Sequence, residues 1–511
     1  MRFSMSNMSN MSNERPTGRG ALGLLHQPNR RRMLYVIAAV ALSLFVWFAW
    51  HSLNTLPTYQ GKTVAQWLNR TDQPETRVEV VNAFGPDAAL ELAKAIRLKQ
   101  TFWNRLELAV WEKLPKGLQQ KWRRADIIGT RSQAARWLIE LGADGKAAVP
   151  ELIDIALQER DVFQRCHAIN VLGFAGRDSP EALSALTRLL NDSDVIIQDH
   201  AALALGRFGS HAKPAVRPLI EYTRNHPQKK PFNPLLALGQ IGKDAEEAVP
   251  AVVEALKNAE LKHNGLTALV GIGSTNAAVV PIALKFLEDQ DYRVKARALD
   301  VLRQVGPEAK PAAPTISRFL QSPEWVLRAL AAVALSRIEG KPEMAVPVLQ
   351  DVLTKSKRTD LDICWGIYLP APNGEQHAYG LSPRETAARL LGQMGPAARA
   401  AMPELFEAMQ SSSAWLRVLA AQAIWRIEGK ADAVCPVFAD ALTSRDEFAL
   451  FITIDTLHEM GPAARPLALD ILQFVNQETN AWSLRRELLK ILKETDPALV
   501  RTRVVGRLNR N

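Results

Sequence analysis

The sequence predicts an all-α fold, a right-handed α-solenoid of stacked antiparallel helix pairs preceded by one transmembrane helix. Three observations predict it. A helix-ending glycine recurs at a nearly constant interval, two amphipathic helical patterns lie between successive glycines, and an uncharged apolar run lies near the N-terminus. The chain has 511 residues, more than one compact core usually organises, so a repeat array fits its length.

The uncharged run is Met33–Trp50, which as a helix spans about 27 Å, close to the thickness of a bilayer's hydrocarbon core. Arg30, Arg31 and Arg32 precede it, and the positive-inside rule therefore places a basic, disordered tail, residues 1–32, in the cytoplasm. Everything after the run is expected on the extracytoplasmic (periplasmic) side of a bacterial envelope. A cleaved signal peptide and a buried soluble helix are the alternatives, but the run lacks the small residues of a cleavage site.

The net charge of +10 is concentrated at the two ends of the chain. Residues 1–32 contribute +5 and the tail 501–511 contributes +4, which leaves +1 for residues 33–500. Proteins that bind nucleic acid usually carry a basic face, so a nearly neutral body disfavours that function.

The repeated stretches each end in a glycine, and eight of the nine intervals between these glycines are 31–34 residues long. After each glycine we expect a short loop, an apolar helix with proline in its first turn, a polar loop and a second amphipathic helix. The next glycine is then a left-handed C-cap. Such pairs cannot bury enough surface alone and must stack. The glycines are Gly142, Gly176, Gly209, Gly242, Gly273, Gly306, Gly340, Gly395, Gly429 and Gly461.

The repeat units follow the pattern LGxIGxxAxxAVPxLxxAL…D…VRxxAAxAL. This pattern resembles HEAT repeats of the short kind found in phycobilisome lyases. The resemblance covers residues 78–500 and implies about 12 units. It also implies that the basic residue of the VR position ties neighbouring units together. In four of the units this basic residue is Arg165, Lys295, Arg328 and Arg417. An acidic residue lies four positions before the first three of them, namely Asp161, Asp291 and Glu324.

Residues 51–77 resemble the membrane-proximal lead-in of anchored bacterial HEAT proteins. They predict a linker and one short helix, in which Trp67 and Leu68 cap the first repeat. This resemblance agrees with the anchor predicted from the apolar run.

Two inserts interrupt the spacing, near residues 101–126 and 355–383. Inserts in a solenoid emerge on one face, which is often the binding face. The second insert is rich in Pro and Gly and carries rings of the kind that anchor protein interfaces. Its candidate partner-binding residues are Trp365, Tyr368, His377 and Tyr379. The alternative is that these rings fold back into the groove of the solenoid.

No catalytic, cofactor-binding or metal-binding residue is predicted. The three cysteines lie far apart without metal-type spacing, and His458-Glu459 is the single His-Glu pair, whereas HEAT-like deoxyhypusine hydroxylases use four. No HExxH, GxSxG, P-loop or dinucleotide-binding motif occurs. We therefore expect a non-enzymatic scaffold that binds protein, without cofactor, small-molecule substrate or nucleic acid. A lyase-type or cofactor-handling protein and a nucleic-acid-binding protein are the alternatives.

Overall fold

The computed structural model describes residues 67–68, 86–99, 113, 127–225, 232–356, 365–370, 376–444, 446–477 and 482–499. All of them belong to the second of two units of the chain, Val64–Asn511. The predicted transmembrane helix, residues 33–50, lies outside the described residues, as do Arg30, Arg31 and Arg32. None of the helices in the described ranges is both long and apolar enough to cross a bilayer.

The described residues form eleven helix pairs, each with a first and a second helix. The first helices are α1 Pro86–Ile96, α3 Val149–Gln158, α5 Pro180–Leu189, α7 Val216–Asn225, α9 Val249–Ala255, α11 Val280–Phe286, α13 Ala313–Ser317, α15 Val346–Lys355, α17 Met402–Ala408, α19 Cys435–Thr443 and α21 Ala468–Gln477. The second helices are α2 Ile127–Leu141, α4 Val162–Ala175, α6 Val195–Arg207, α8 Phe232–Ile241, α10 Lys262–Ile272, α12 Tyr292–Val305, α14 Trp325–Ile338, α16 Pro383–Met394, α18 Ala414–Glu428, α20 Glu447–Met460 and α22 Trp482–Thr495.

The pairs stack in chain order. Each first helix packs on the second helix of its own pair, and each second helix contacts the second helix of the next pair, from α2 through to α22. The last second helix, α22, also contacts α2. The predicted solenoid of stacked helix pairs is therefore confirmed. The last of its second helices also contacts the first.

The repeat glycines end the second helices, and nine of the ten have a positive φ. Gly273 and Gly429 adopt the predicted left-handed conformation, whereas Gly306 combines φ 68° with ψ −134°, a conformation that glycine alone adopts readily. The prediction is wrong for Gly176, whose φ is −98°. Six of the positive-φ glycines begin a seven-residue 3₁₀ turn where a loop was expected, namely Gly142, Gly209, Gly242, Gly306, Gly395 and Gly461.

Helix starts follow the predicted chemistry. Proline occupies the first turn of the six first helices in which the repeat pattern predicts it, at positions whose N–H would have no partner within the helix. On the second helices, Asp161 and Asp194 accept hydrogen bonds from main-chain N–H groups, and Ser382 forms a capping box with Glu385. The prolines are Pro150, Pro250, Pro281, Pro314, Pro347 and Pro403.

The second insert departs from the all-α prediction, which is wrong for this segment. It contains an antiparallel hairpin of β1 Trp365–Pro370 and β2 Gln376–Leu381. Larger residues alternate with smaller ones in the second strand, where Ala378 and Gly380 separate His377, Tyr379 and Leu381, and Asn373-Gly374 between the strands is a strong hairpin signal in the sequence. These local preferences override the helical periodicity of the surrounding units.

Both inserts lie inside a helix pair and not between two pairs. The first, predicted near residues 101–126, separates α1 from α2, and the hairpin separates α15 from α16. Apart from residue 113, residues 101–126 lie outside the described residues. Because the connections between first and second helices all lie at one edge of the array, the two inserts start from the same edge.

Small residues allow neighbouring second helices to approach closely, among them the buried Ala331-Ala332 and Ala420-Ala421. The tightest approach joins α8 and α10. A Cβ atom added to Gly271 would lie 2.5 Å from the carbonyl oxygen of Gly239. At this crossing the helices pack backbone against backbone.

Candidate interaction site

A ladder of ion pairs runs along the edge at which first and second helices connect. Arg131 of α2 donates to the carboxylate of Asp161, 2.8 Å away, at the start of α4. One unit on, Arg165 of α4 donates to Asp192 at 2.5 Å and to the carbonyl oxygen of Ala156 at 2.8 Å. Each arginine thereby joins its own pair to the loop of the next.

Further rungs repeat this geometry at Lys262–Asp289, 2.6 Å, and Arg417–Asp440, 3.0 Å. The tie between units that the resemblance implies is confirmed for Arg165 and Arg417. It is wrong for Arg328, which donates to the carbonyl oxygen of Ser322 in its own loop and lies over the Trp325 ring.

The other predicted members have different roles. Among the described residues Lys295 has no ion-pair partner, and Asp291 caps its own helix α12. Glu324 accepts a hydrogen bond from the Ser322 hydroxyl. The lysine of the preceding unit, Lys262, makes the contact that was expected of Lys295.

The four predicted partner-binding residues lie in the hairpin, and their side chains lie outside what the structure describes. The strand register pairs position 365 with 381, 367 with 379 and 369 with 377. Position 368 pairs with 378 in the same register, so all four residues lie on the two paired strands. Their role in partner binding stays a prediction.

Three large apolar side chains are exposed at one repeat position, which the sequence reading missed. Ile128, Phe163 and Ile196 are the second residues of α2, α4 and α6, and they are 60%, 77% and 54% exposed. We call them the apolar row. Scattered apolar residues are common on surfaces, but three at equivalent positions of consecutive units form a continuous feature.

A cleft of about 850 Å³ opens beside the apolar row, between the starts of α2 and α4. Its walls include Ile128, Phe163, Arg131 and His167. His167 follows Phe163 by one helical turn, and His200 follows Ile196 in the same way. The cleft thus joins an apolar rim to polar groups deeper between the helices.

Burial, together with the charge of the nearby Arg131, lowers the pKa of His167 below its ordinary value. The unfolded chain therefore takes up this proton at a higher pH than the folded protein does. We expect His167 to cost no stability above about pH 6.5 and to destabilise the fold progressively as the pH falls below that value. The melting temperature between pH 7.5 and 5 should fall less for His167→Gln than for the wild type. Equal slopes would contradict this.

Charged side chains gather on the second helices α12, α16, α18 and α20. Buried Asp300 accepts from the Nε of Arg303 at 2.9 Å, and Arg297 lies 4.0 Å away. Arg426 of α18 donates to both carboxylate oxygens of Glu459, at 2.9 and 2.5 Å. These are ordinary structural ion pairs, but they surround Arg389 of α16.

The structure places His458, Cys166 and Cys435 apart from any metal-type cluster, and Cys364 lies outside the described residues. His458 lies 3.7 Å from Glu487, while the adjacent Glu459 pairs with arginine. Cys166 and Cys435 are free and buried, and burial raises the pKa of the Cys166 thiol to about 11. In the ranges that the structure covers, no three His, Cys, Asp or Glu side chains group as metal ligands would.

Comparison with known proteins supports the repeat assignment. A family model described as HEAT repeats matches residues 123–206, 149–230 and 280–361. Comparison with curated proteins gives no match.

Solved structures with similarity to the chain include an engineered protein, with 18% identity, 70% of this chain and 98% of that chain covered, and a TM-score of 0.31. The complex of CpcE and CpcF of phycocyanin lyase from a Nostoc species has 19% identity, 61% and 94% coverage, and a TM-score of 0.29. The Kap95:Nup1 complex has 12% identity, 82% and 61% coverage, and a TM-score of 0.40. The HEAT-repeat matches lie within the stacked helix pairs described above.

Proposed function

We propose that this protein is a membrane-anchored, non-catalytic scaffold that binds another protein along the starts of its second helices. The observation that carries the proposal is the apolar row. Each of its side chains gains about 1.5–3 kcal/mol when it is buried, which is a source of binding energy that the isolated fold leaves unused.

The spacing of the row suggests the form of the partner. Neighbouring helices pack about 8–10 Å apart, and a polyproline II segment, which has three residues per turn, advances about 9 Å in three residues. A partner segment in this conformation, with an apolar side chain at every third position, would match Ile128, Phe163 and Ile196 in turn. The adjoining cleft would accept the bulkiest of these side chains.

We expect the double substitution Phe163→Ser with Ile196→Ser to abolish partner capture. The measurement is cross-linking followed by quantitative purification in mild detergent, in which recovery of the partner should fall at least tenfold. The binding free energy lost with two such side chains exceeds the roughly 1.4 kcal/mol that corresponds to a tenfold change in affinity. Leu469→Ser is the matched control, because Leu469 is 59% exposed and is the second residue of a first helix, α21. Undiminished capture by the double variant would overturn the proposal.

The anchor is part of the same proposal. Residues 33–50 would hold the protein in the membrane, with residues 1–32 in the cytoplasm and the helix pairs in the periplasm. Alkaline phosphatase fused after residue 70 should be active, because that enzyme folds only outside the cytoplasm. An inactive fusion that is present at normal levels would refute this orientation without affecting the binding surface.

A further inference from the structure

Five side chains occupy one repeat position on consecutive second helices, α12 to α20. Each lies six residues before the glycine that ends its helix, or seven where the helix ends in Glu-Gly. Gln422 of α18 donates to Asp455 of α20 at 3.2 Å, so neighbouring members of this series contact each other. In chain order, they are Asp300, Val333, Arg389, Gln422 and Asp455.

The carboxylates near Arg389 already have partners. Asp300 accepts from Arg303 and lies near Arg297, as described above. Glu459 is held by two hydrogen bonds from Arg426, and Asp455 lies 3.6 Å from the same guanidinium. Each of these acids thus already lies against another arginine.

Arg389 has no such partner. In the part of the chain that the structure describes, it makes no hydrogen bond and no ion pair. Burial and the charges of Arg303, Arg426 and Arg297 outweigh the attraction of Asp300 and lower the pKa of Arg389 to about 10. The side chain is only partly exposed, so solvent reaches part of it.

A guanidinium in this position is an unusual feature, because a buried or half-buried charge ordinarily has a counter-ion. Its donors form a planar fork that fits two oxygens of one carboxylate or phosphate. Val333 occupies the position between Asp300 and Arg389 in this series. Arg389 therefore offers charge, directed donors and partial exclusion of water to one small anionic group.

We infer that Arg389 is the centre of an oxyanion-binding site on the second helices, where Arg303 and Arg426 add to the positive potential. The ligand is a carboxylate or a phosphate, supplied either by an acidic side chain of a bound protein or by a free anion. This site is separate from the apolar row and does not depend on it.

The test is isothermal titration calorimetry of the full chain in mild detergent at low salt, with inorganic phosphate in one arm and a hexaglutamate peptide in the other. Arg389→Gln should weaken binding at least tenfold, and Arg389→Lys, which keeps the charge without the fork, by a smaller factor. Arg399→Gln is the control, since Arg399 belongs to the turn after α16 and is largely exposed. Without ligand, Arg389→Gln should melt no lower than the wild type, because it removes an uncompensated charge.

The arms separate the sources of the anion. Binding of the peptide but not phosphate assigns the site to acidic side chains, binding of phosphate but not the peptide assigns it to a small free anion, and binding of both supports a general oxyanion site. The inference is overturned if the wild type binds neither probe or if Arg389→Gln binds as tightly as the wild type. A lower melting temperature for ligand-free Arg389→Gln would likewise overturn it, because it would make Arg389 a structural residue.

Discussion

Gly271→Ala is expected to lower the stability of the protein by about 2–3 kcal/mol, although alanine is the better helix former. The added Cβ would lie 2.5 Å from the carbonyl oxygen and 2.8 Å from the Cα of Gly239, and a backbone cannot rotate away as a side chain can. The propensity gain of about 1 kcal/mol is smaller than the cost of separating α8 from α10. Chemical denaturation followed by circular dichroism should show an earlier midpoint.

The control for this substitution is Gly145→Ala. Its Cβ would meet its nearest neighbours at 3.5–3.6 Å, which is ordinary contact, and its φ is not positive. We expect a change within about 0.5 kcal/mol. Because the clash opens one interface of the array, Gly271→Ala should also expose the connection between α8 and α10 to limited proteolysis. A Gly271→Ala protein as stable and as resistant as the wild type would rule out the close crossing.

Asp192→Asn is expected to cost about 2–3 kcal/mol at neutral pH, because it leaves Arg165, whose side chain is only 13% exposed, without its counter-ion. Asparagine retains a side-chain oxygen that can accept from the Asp194 N–H, so the substitution isolates the charge from the loop geometry. The matched control is Asp440→Asn in the rung with Arg417. Asp440 is 62% exposed, and a solvated pair of this kind contributes about 0–1 kcal/mol.

The ion pair between Asp192 and Arg165 also predicts how the stability of the fold declines in acid. Burial alone would raise the pKa of Asp192, but hydrogen bonds from Arg165 and from the Asp194 N–H outweigh it and lower the pKa. The stabilisation is therefore complete above the unfolded-state value of about 4 and is lost as the pH falls below it. Melting temperatures between pH 5 and 3 should decline more steeply for the wild type than for Asp192→Asn. Parallel curves would show that the ionisation of Asp192 does not contribute to the pH dependence of stability.

The sequence predicts the helix pairs well because the requirements at their ends are local. A glycine that must adopt a positive φ and a proline that fits only a first turn are both visible as residue types, and their spacing defines the unit. The hairpin is also local, since its alternation and Asn373-Gly374 are present in the sequence. It was missed because the insert was interpreted against the helical repeat and not by its own period.

The candidate sites depend on relations that the sequence does not display. Phe163 is adjacent to the buried Gln164 and Ile196 to the buried Ile197, so periodicity alone does not reveal that Phe163 and Ile196 are exposed. The partner of Arg165 lies 27 residues away, and only stacking identifies it as Asp192. Arg389 is still harder to predict, because its isolation depends on which neighbouring acids other arginines have already paired.

The contact between α22 and α2 alters how the array can lose its structure. In an open row of repeats, the terminal units have one neighbour, and unfolding can begin there and spread inward. Here the second helices at the two ends, α2 and α22, also contact each other, so each end is held by one further contact. Fraying from either end therefore has to break this closing contact first, which couples the loss of the first unit to the loss of the last.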